Sequence, residues 1–559
     1  FWLKLKSDAS FSTAVMRVHS LVCFATALVE VSVYLSGEKP EVKEGAPQAG
    51  ALAWGSFEDG LNKTGWGILD VKAGDGVSDQ VQHYAAGMIE GYTTASHIQT
   101  AYLNALGYVF RGNISKPAVQ FLRDQLAWTR AQIKANPKDV YWKHVSCVVS
   151  QFDGLVAGYA QAVAQHQFPA LDQDAFLILN GVGDLFQIMP AVDPHRRVDY
   201  AAMSAEELRW HVKTSGLCSA LIKVLGDYDD LFMAHSSWFS YEDTDRIFKH
   251  FEFKFNMQAG ANKTSYSSYP GYLESLDDFY MSSSGLGMIQ TSNNVMNTSY
   301  YSLINPETLL AWQRVRISNA MATSGQQWAE VFRQHASGTY VNQYMLVDFK
   351  QFEPKKALGN GTLWVVEEMP GLVAAGDQTD TLRRGYWPSY NVPFYREVYE
   401  RSGYDDARLG TDGMYELAPR AKIFRRDQGM VSDMASIKRL MRYANYTDPY
   451  AAGEGEVDFG AAICMRGDLA QGGKGSPGGC YDTKVTSYRF GFFNQTAEAV
   501  NGPTSTASDG TGGKSGNAPF EWRDMDQKSP HFGLPAKYDF DFIKVAPRKL
   551  PEPVLAVVV

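Results

Sequence analysis

The sequence predicts an α+β protein, and three observations lead to that class. Segments with helical periodicity are concentrated before residue 217, whereas short apolar runs rich in β-branched and aromatic residues dominate after residue 218. Helices grouped ahead of strands are typical of α+β folds. The chain has 559 residues, 45% of them hydrophobic, and no Pro/Ser-rich or charged linker divides it, so we expect one large folded unit.

The first half is expected to be mainly helical. Residues 65–71 predict a strand, and residues 78–106 place apolar side chains such as Val81, Tyr84 and Met88 on one side of a helix. Further helices are predicted at residues 117–135, 141–166 and 204–212.

The second half is expected to be rich in strands. Apolar runs predict strands near residues 287–291, 340–349 and 362–368, interrupted by helices at 307–320 and 433–443. The low-complexity stretch 501–519 predicts a surface loop.

Two apolar runs, residues 218–225 and 231–238, flank Gly-Asp-Tyr-Asp-Asp and predict a β-hairpin. A turn centred near Tyr228 would place Cys218 roughly opposite Trp238. His235 would then lie near Leu221, so that a thiol, an imidazole and an indole share one end of the hairpin.

A cysteine at the start of a strand suggests an N-terminal nucleophile. A thiol has an ordinary pKa of about 8.5, so little thiolate exists at neutral pH. Cutting the Leu217–Cys218 bond would give Cys218 an α-amine with a pKa of about 7.7–8.0, which can accept the thiol proton. The alternative is an inert buried cysteine, because free cysteine is often buried.

The start of the chain predicts a leader over residues 1–37. Fifteen residues precede Met16, and Arg17, the apolar stretch 21–34 and Ser36-Gly37 together have the pattern of a secretory signal. The alternative is an ordinary buried strand or helix. No later stretch offers eighteen consecutive apolar residues, so no membrane span is expected.

Sequons and cysteines also favour a secretory route, with delivery outside the cell or to lysosomes. The seven Asn-x-Ser/Thr asparagines are Asn62, Asn113, Asn262, Asn297, Asn360, Asn445 and Asn494. Cys464 and Cys480 close a Gly-rich loop and predict a disulfide, worth roughly 3 kcal/mol. Cys147 lies in an apolar run and predicts a buried free thiol.

Several function classes are disfavoured. A net charge of −9 without any basic run argues against a nucleic-acid partner. There is no Gly-x-Ser-x-Gly elbow, and no His-Glu-x-x-His or Cys-x-x-Cys pattern that would suggest a metal site. Residues 512–515 lack the preceding glycine of a phosphate-binding loop. We therefore expect neither a metal nor a cofactor.

Several ordered segments carry a family resemblance. They are Cys218-Ser-Ala-Leu-Ile-Lys, Ala234-His-Ser-Ser-Trp238, Ser268-Tyr-Pro-Gly271, Asp277-Asp-Phe-Tyr280, Ser337-Gly-Thr-Tyr340, Gly385-Tyr-Trp-Pro-Ser-Tyr-Asn-Val-Pro-Phe394, Ala418-Pro-Arg-Ala-Lys-Ile-Phe-Arg-Arg-Asp-Gln-Gly429 and Pro477-Gly-Gly-Cys-Tyr-Asp-Thr-Lys484. Together they resemble the phospholipase B-like family of N-terminal nucleophile hydrolases. The resemblance implies an αββα sandwich built jointly by residues 38–217 and 218–559 of a cleaved precursor.

The resemblance also implies a site. Cys218 matches the nucleophile, with Leu217–Cys218 as the cleavage bond, and Asn391 matches a donor to the developing oxyanion. Arg420 matches an arginine that stabilises charge near the nucleophile. The remaining matched residues orient the nucleophile or shape the substrate pocket, and they are His235, Trp238, Thr291 and Ser292.

The same residues also have ordinary structural explanations, such as core packing for Trp238 or a turn at Asn391. Two positions depart from the family pattern. Leu217 stands where a polar residue or histidine is common, which puts the rate of processing in doubt. Gly460 stands where relatives have a cysteine, which puts a second disulfide in doubt.

Three functions remain open from the sequence. The first is a secreted or lysosomal hydrolase that removes acyl chains from glycerophospholipids through a thioester. The second is an amidase that uses the same nucleophile on N-acylated or peptide-like substrates. The third is a secreted glycoprotein without catalysis. The sequence leaves the oligomeric state open.

Overall fold

The computed structural model describes residues 28–553 except for 111, 216–217, 446, 452–459, 471–474, 506–516 and 526–528. The predicted α+β class is confirmed. The α-helices are α1 (Leu61–Thr64), α2 (Asp79–Thr93), α3 (Ala95–Tyr108), α4 (Lys116–Ala135), α5 (Val140–His166), α6 (Gln173–Asn180), α7 (Val182–Val192), α8 (Ala205–Ser215), α9 (Ala311–Met321), α10 (Gly325–Phe332), α11 (Thr379–Leu382), α12 (Arg396–Ser402), α13 (Pro419–Asp427) and α14 (Met434–Met441).

Most of the strands begin at or after residue 218. The strands are β1 (Leu28–Ser36), β2 (Lys39–Glu44), β3 (Ala53–Glu58), β4 (Trp66–Ala73), β5 (Cys218–Val224), β6 (Leu231–Ser240), β7 (Arg246–Glu252), β8 (Lys263–Ser268), β9 (Phe279–Ser282), β10 (Leu286–Ser292), β11 (Asn342–Asp348), β12 (Leu363–Met369), β13 (Leu372–Asp377), β14 (Tyr386–Ser389), β15 (Gly478–Ser487), β16 (Ala497–Asn501), β17 (Phe520–Glu521), β18 (Lys537–Tyr538) and β19 (Ile543–Val545).

Local capping explains why several predicted helices begin where they do. The Asp139 side chain accepts hydrogen bonds from two backbone N–H groups at the start of α5, and the Ser78 side chain accepts one at the start of α2.

The single helix predicted over residues 78–106 is divided at Thr94, which leaves helical geometry between α2 and α3. The helix predicted from residue 307 begins only at Ala311, because Leu309 forms a β-bridge instead.

Two large sheets form the centre of the molecule. The larger has eleven strands in the order β13-β12-β11-β10-β9-β8-β7-β4-β3-β1-β2, and the smaller has six in the order β14-β5-β6-β15-β16-β19. Strands β4 and β7 pair in parallel, and this pairing joins the segments on either side of residue 217 into one sheet.

Three apolar clusters show how the sheets and helices are layered. One cluster packs helices α2 and α5 against the larger sheet. A second lies between the sheets, where Ile222 and Met233 of the smaller sheet meet Ile289 of the larger. A third packs α13 and α14 on the outer face of the smaller sheet, around Leu221 and Phe232. The order is therefore helices, sheet, sheet, helices.

The first strand lies within the stretch that the sequence predicts as a leader. Leu28–Ser36 pairs with β2 on one side and β3 on the other, so it is an interior strand of the larger sheet. Removing residues up to Gly37 would therefore leave β2 without a partner strand and expose one edge of β3, which would keep its pairing with β4. The apolar pattern of a signal segment and of a buried strand is the same, which explains the difference. Residues 1–27, the rest of the predicted leader, lie outside the described residues.

The predicted hairpin is present, but its register differs by one residue. Cys218 pairs with Ser237 and Ala220 pairs with His235, so Trp238 is not opposite Cys218. The connecting loop is centred between Asp227 and Tyr228, both with positive φ, and not on Tyr228 itself. Because strand side chains alternate between faces, Ser237 is the residue that shares a face with Cys218.

None of the helices in the described ranges is both long and apolar enough to cross a membrane alone. Only together do helices α6 and α7 have the length and apolar composition of a membrane span, and the angle between the two helices is 97°.

Buried carboxyl groups make the fold sensitive to pH. Burial raises the pKa of Glu242 to about 7 and that of Glu367 to about 7. Burial, reinforced by the nearby Glu242, raises the pKa of Asp243 to about 8. A carboxyl group whose pKa is raised by folding stabilises the folded state only when protonated, so this stability is lost as the pH rises through its folded pKa.

We expect the melting temperature to rise by roughly 2–4 °C when the pH falls from 8 to 6.5. In this window the three carboxyl groups take up protons. The buried histidines His83, His235 and His250, whose pKa values burial lowers to about 3, oppose the trend as the pH approaches their ordinary value of about 6.5, because the unfolded chain then takes up protons that the folded chain does not. Differential scanning calorimetry measures the change. The Asp243→Asn variant should show a smaller pH dependence, and a lower melting temperature at pH 6.5 would contradict the prediction.

Candidate active site

Cys218 is the first residue of β5, in the smaller sheet, and is 3% exposed. Its neighbour Leu217 lies outside the described residues, so the predicted cleavage bond stays a prediction. Burial raises the pKa of the Cys218 thiol above its ordinary value. The Trp238 backbone N–H and the positive charge of Lys484 act in the opposite direction without reversing the shift. The thiol therefore needs a base close to its sulfur to become reactive.

Arg420 connects Cys218 to Asn391. Helix α13 begins at Pro419, and this places Arg420 in its first turn. One guanidinium nitrogen, Nη1, donates to the Cys218 carbonyl at 2.5 Å, and Nη2 donates to Asn391 Oδ1 at 2.6 Å. The guanidinium also stacks 4.4 Å from the Trp238 ring. The structure thus brings these four sequence-predicted residues together.

Asn391 is held in an uncommon backbone conformation. Its φ of 68° lies in the left-handed region, which asparagine tolerates better than most residues other than glycine. The Asn391 Nδ2 donates to the Ser292 carbonyl at 2.5 Å. The Tyr404 hydroxyl donates to the backbone carbonyl of Asn391 at 2.8 Å. Arg420 holds the oxygen of this amide, so its N–H side faces β10. Side-chain amides in such positions can stabilise an oxyanion.

His235 is buried on β6, the strand that pairs with the one that begins at Cys218. Its Nε2 is 2.8 Å from the Gln290 carbonyl, and its Nδ1 is 3.5 Å from Ser237 Oγ. Burial and then the charge of Lys484 lower the pKa of His235 to about 3. A neutral imidazole that donates to the Gln290 carbonyl can orient Ser237. Both ring nitrogens of His235 contact residues other than Cys218.

The remaining predicted site residues lie around the same point. Trp238 donates from its indole N–H to the Ile463 carbonyl at 3.0 Å and packs on the disulfide between Cys464 and Cys480. The predicted disulfide is therefore present, and the predicted free thiol of Cys147 is buried. Thr291 Oγ1 lies 2.6 Å from Ser389 Oγ, which links β10 of the larger sheet to β14 of the smaller.

A buried ionic cluster, which was not predicted from the sequence, lies beside Ser237. Lys484 donates to Ser237 Oγ at 2.6 Å and to Asp482 at 2.7 Å, and it also bonds to Asp277. Arg246 contacts both carboxylates, at 2.9 and 3.0 Å. The motifs containing Asp277 and Lys484 are visible in the sequence, but nothing local indicates that they meet.

The cluster also bears on metal binding. His235, Asp277 and Asp482 present ligand atoms within 4.8 Å of one another, which is close enough to hold a cation. However, Lys484 and Arg246 already bond to both carboxylates, and these two positive charges hold the pKa of Asp277 below its usual range despite its burial. The carboxylates are thus neutralised by side chains, so the residues present do not fit a metal ion.

A cleft of about 460 Å³ lies next to Cys218. A small cavity lined by Cys218, Ser237 and Asp277 shares Trp238 and Tyr340 with this cleft, so the two are adjacent. The cleft has the size of a small-molecule site. Its walls include the sequence-predicted pocket residue Ser292, together with Phe186, Met189, Phe239, Val295 and Val341.

The predicted glycosylation sites share one property: all seven sequon asparagines are exposed. They lie at Asn62, Asn113, Asn262, Asn297, Asn360, Asn445 and Asn494. Exposure is required for a glycan to be accommodated on the folded chain.

Comparisons with known proteins identify the family of the chain. The Phospholipase B family model matches residues 53–545. Phospholipase B-like 1 of Rattus norvegicus is 42% identical over 503 residues, covering 89% of this chain and 88% of the rat protein. Phospholipase B of Crotalus adamanteus is 44% identical over 504 residues, again covering 89% and 88%. Phospholipase B-like protein D of Dictyostelium discoideum is 34% identical over 524 residues, covering 91% and 89%. The chain belongs to the phospholipase B family.

Proposed function

We propose that this chain is an acyl hydrolase of the N-terminal nucleophile type, activated by cleavage of its own Leu217–Cys218 bond. The main support for the proposal is that the Arg420 guanidinium donates hydrogen bonds to both the Cys218 carbonyl and the Asn391 side chain. A thiol at a strand start and an amide donor are thereby fixed in one site. The order helices, sheet, sheet, helices supports the αββα assignment.

The protonation states favour the α-amine as the base. The thiol is buried, and His235 is neutral and hydrogen-bonded to Gln290 and Ser237. An α-amine on Cys218 itself has an ordinary pKa near 8, close to that of a thiol, and reaches the sulfur without any other residue. A nucleophile and base from one residue therefore fit this site better than a Cys–His pair.

The proposed cycle has two halves. The α-amine takes the thiol proton as the Cys218 sulfur attacks the acyl carbonyl, and Asn391 Nδ2–H stabilises the oxyanion. The resulting ammonium protonates the leaving group, which departs and leaves a thioester. Water then gives its proton to the α-amine, attacks the thioester and releases the fatty acid with the regenerated thiol. Glycerophospholipids are the proposed substrates, because the relatives are named phospholipases B.

We expect the Cys218→Ala precursor to remain a single chain, because the substitution removes the attacking sulfur. The wild-type protein should give two fragments, the larger beginning Cys-Ser-Ala-Leu. N-terminal sequencing and intact-mass measurement check both outcomes. The matched control is Cys147→Ala, which removes the other described free thiol, also buried, and should leave cleavage unchanged. Cleavage of Cys218→Ala at the same bond would refute the proposal. A wild-type protein that is never cut would favour a glycoprotein without catalysis.

We expect Asn391→Ala to lower kcat by roughly 10²–10³, the usual effect of losing one oxyanion donor. Steady-state kinetics per mole of cleaved protein, on a short-chain phosphatidylcholine, measure this. The control is Asn104→Ala, since Asn104 is an equally buried asparagine that bonds to Phe532, a residue absent from the walls of the cleft and of the Cys218 cavity. A fall in kcat as large as that of Asn391→Ala in this control would show a general structural effect instead.

We also propose that the chain enters the secretory route, for delivery outside the cell or to lysosomes. Seven exposed sequons and the Cys464–Cys480 disulfide support this. An N-glycosidase should lower the apparent mass of protein expressed in animal cells. The treated protein should match a variant in which all seven sequon asparagines are glutamine. No change in mobility after digestion would contradict this route.

A further inference from the structure

Three consecutive residues after β10 carry polar atoms without partners. Ser292 Oγ, both amide atoms of Asn293 and Nδ2 of Asn294 are buried and make no hydrogen bond within the described chain. A polar atom that is buried without a hydrogen-bond partner destabilises the folded state. Native proteins satisfy nearly all buried polar groups, so a run of exceptions indicates a function. Asn293 is the clearest case, because it is only 6% exposed and neither end of its amide is used.

These residues lie on the wall of the 460 Å³ cleft. They also adjoin the proposed reaction centre, because the Ser292 carbonyl accepts the hydrogen bond from Asn391 Nδ2. Asn293 follows directly, and its backbone N–H is fixed by the Val341 carbonyl at 2.8 Å. The side chain is thus held one residue away from the partner of the proposed oxyanion donor.

The chemistry of the cleft limits what this polar end can bind. Ser292, Asn293 and Asn294 are uncharged, and the rest of the wall combines apolar side chains with polar ones such as Gln187, His211 and Ser215. Arg196, which also lines the cleft, is paired with Asp193 and donates to the Asn113 carbonyl. An uncharged amide beside the reaction centre fits a neutral hydrogen-bonding group, with an acyl chain along the apolar wall.

We propose that Asn293 determines substrate specificity by binding a hydrogen-bond donor located next to the scissile acyl carbonyl. Its Oδ1 accepts from an N–H or O–H of the substrate, and its Nδ2 donates to an adjacent oxygen. The preferred substrates are then secondary N-acyl amides or monoacyl glycerophospholipids with a free neighbouring hydroxyl. Diacyl phospholipids lack such a donor. The inference rests on the proposed hydrolase function, which it makes more specific.

The energetic reason is the asymmetry of buried hydrogen bonds. A substrate that supplies the missing partner gains the bond and relieves an unsatisfied amide, whereas a substrate without a donor leaves Asn293 Oδ1 unpaired. Sites built to bind an N–H or O–H discriminate strongly against analogues that lack it. The unpaired amide would thus lower the stability of the free protein and increase selectivity.

The test compares wild type with Asn293→Leu, which has a similar volume but no hydrogen-bonding group. Three substrates with the same acyl chain are used: an N-acyl amide, 1-acyl lysophosphatidylcholine and a diacyl phosphatidylcholine. We expect kcat/KM of the variant to fall roughly 10–100-fold on the first two and less than about threefold on the third. Its melting temperature should be unchanged or higher, because an unsatisfied buried amide is removed.

Equal losses on all three substrates, or none, would overturn the proposal. A large drop in melting temperature would assign Asn293 a structural role and overturn it as well. If the wild-type protein hydrolyses none of the substrates, the hydrolase function fails, and binding still tests the subsite. The probe is then N-methyl dodecanamide, which should raise the melting temperature of wild type but not of Asn293→Leu. The absence of that difference would overturn the subsite independently of turnover.

Discussion

The site depends on one buried guanidinium. Arg420 spans three chain segments that are far apart in sequence, since it donates to Cys218 and Ser219 on β5 and to Tyr390 and Asn391 after β14. A planar guanidinium can hold two acceptors on each side in fixed geometry, which a lysine cannot. It therefore sets the distance between the thiol and the left-handed Asn391, whose backbone conformation would otherwise be disfavoured.

A second constraint is the buried ionic cluster next to Ser237, the residue that pairs with Cys218. Lys484 and Arg246 balance Asp277 and Asp482 in a region with almost no solvent, and Ser237, the strand partner of Cys218, hydrogen-bonds into the cluster. Buried ion pairs contribute little net stability, yet losing one partner is strongly destabilising. The cluster thus fixes Ser237 in place, while burial and the charge of Lys484 lower the pKa of His235 and keep it neutral. A neutral site behind the thiol is consistent with a base supplied by Cys218 itself.

The polar residues after β10 differ from the ionic cluster in how their buried polar atoms are paired. The members of the ionic cluster form ion pairs with one another, whereas Ser292, Asn293 and Asn294 keep unpaired atoms on the wall of the cleft. Natural sequences tend to break local rules for stability where function requires it. The two groups therefore lie on different sides of the candidate site: the ionic cluster holds Ser237 next to Cys218, and the polar residues after β10 line the cleft.

The sequence by itself determined the features that neighbouring residues encode. The α+β class, most helices and strands, the hairpin and the Cys464–Cys480 pairing follow from periodicity, turn residues and a short Gly-rich loop. Only the tertiary structure decided the rest. The strand Leu28–Ser36 has the same apolar pattern as a signal segment, and a turn shifted by half a residue replaced Trp238 by Ser237 opposite Cys218. The meeting of Asp277 with Lys484 and the unpaired amide of Asn293 depend on contacts between distant segments, which no local pattern records.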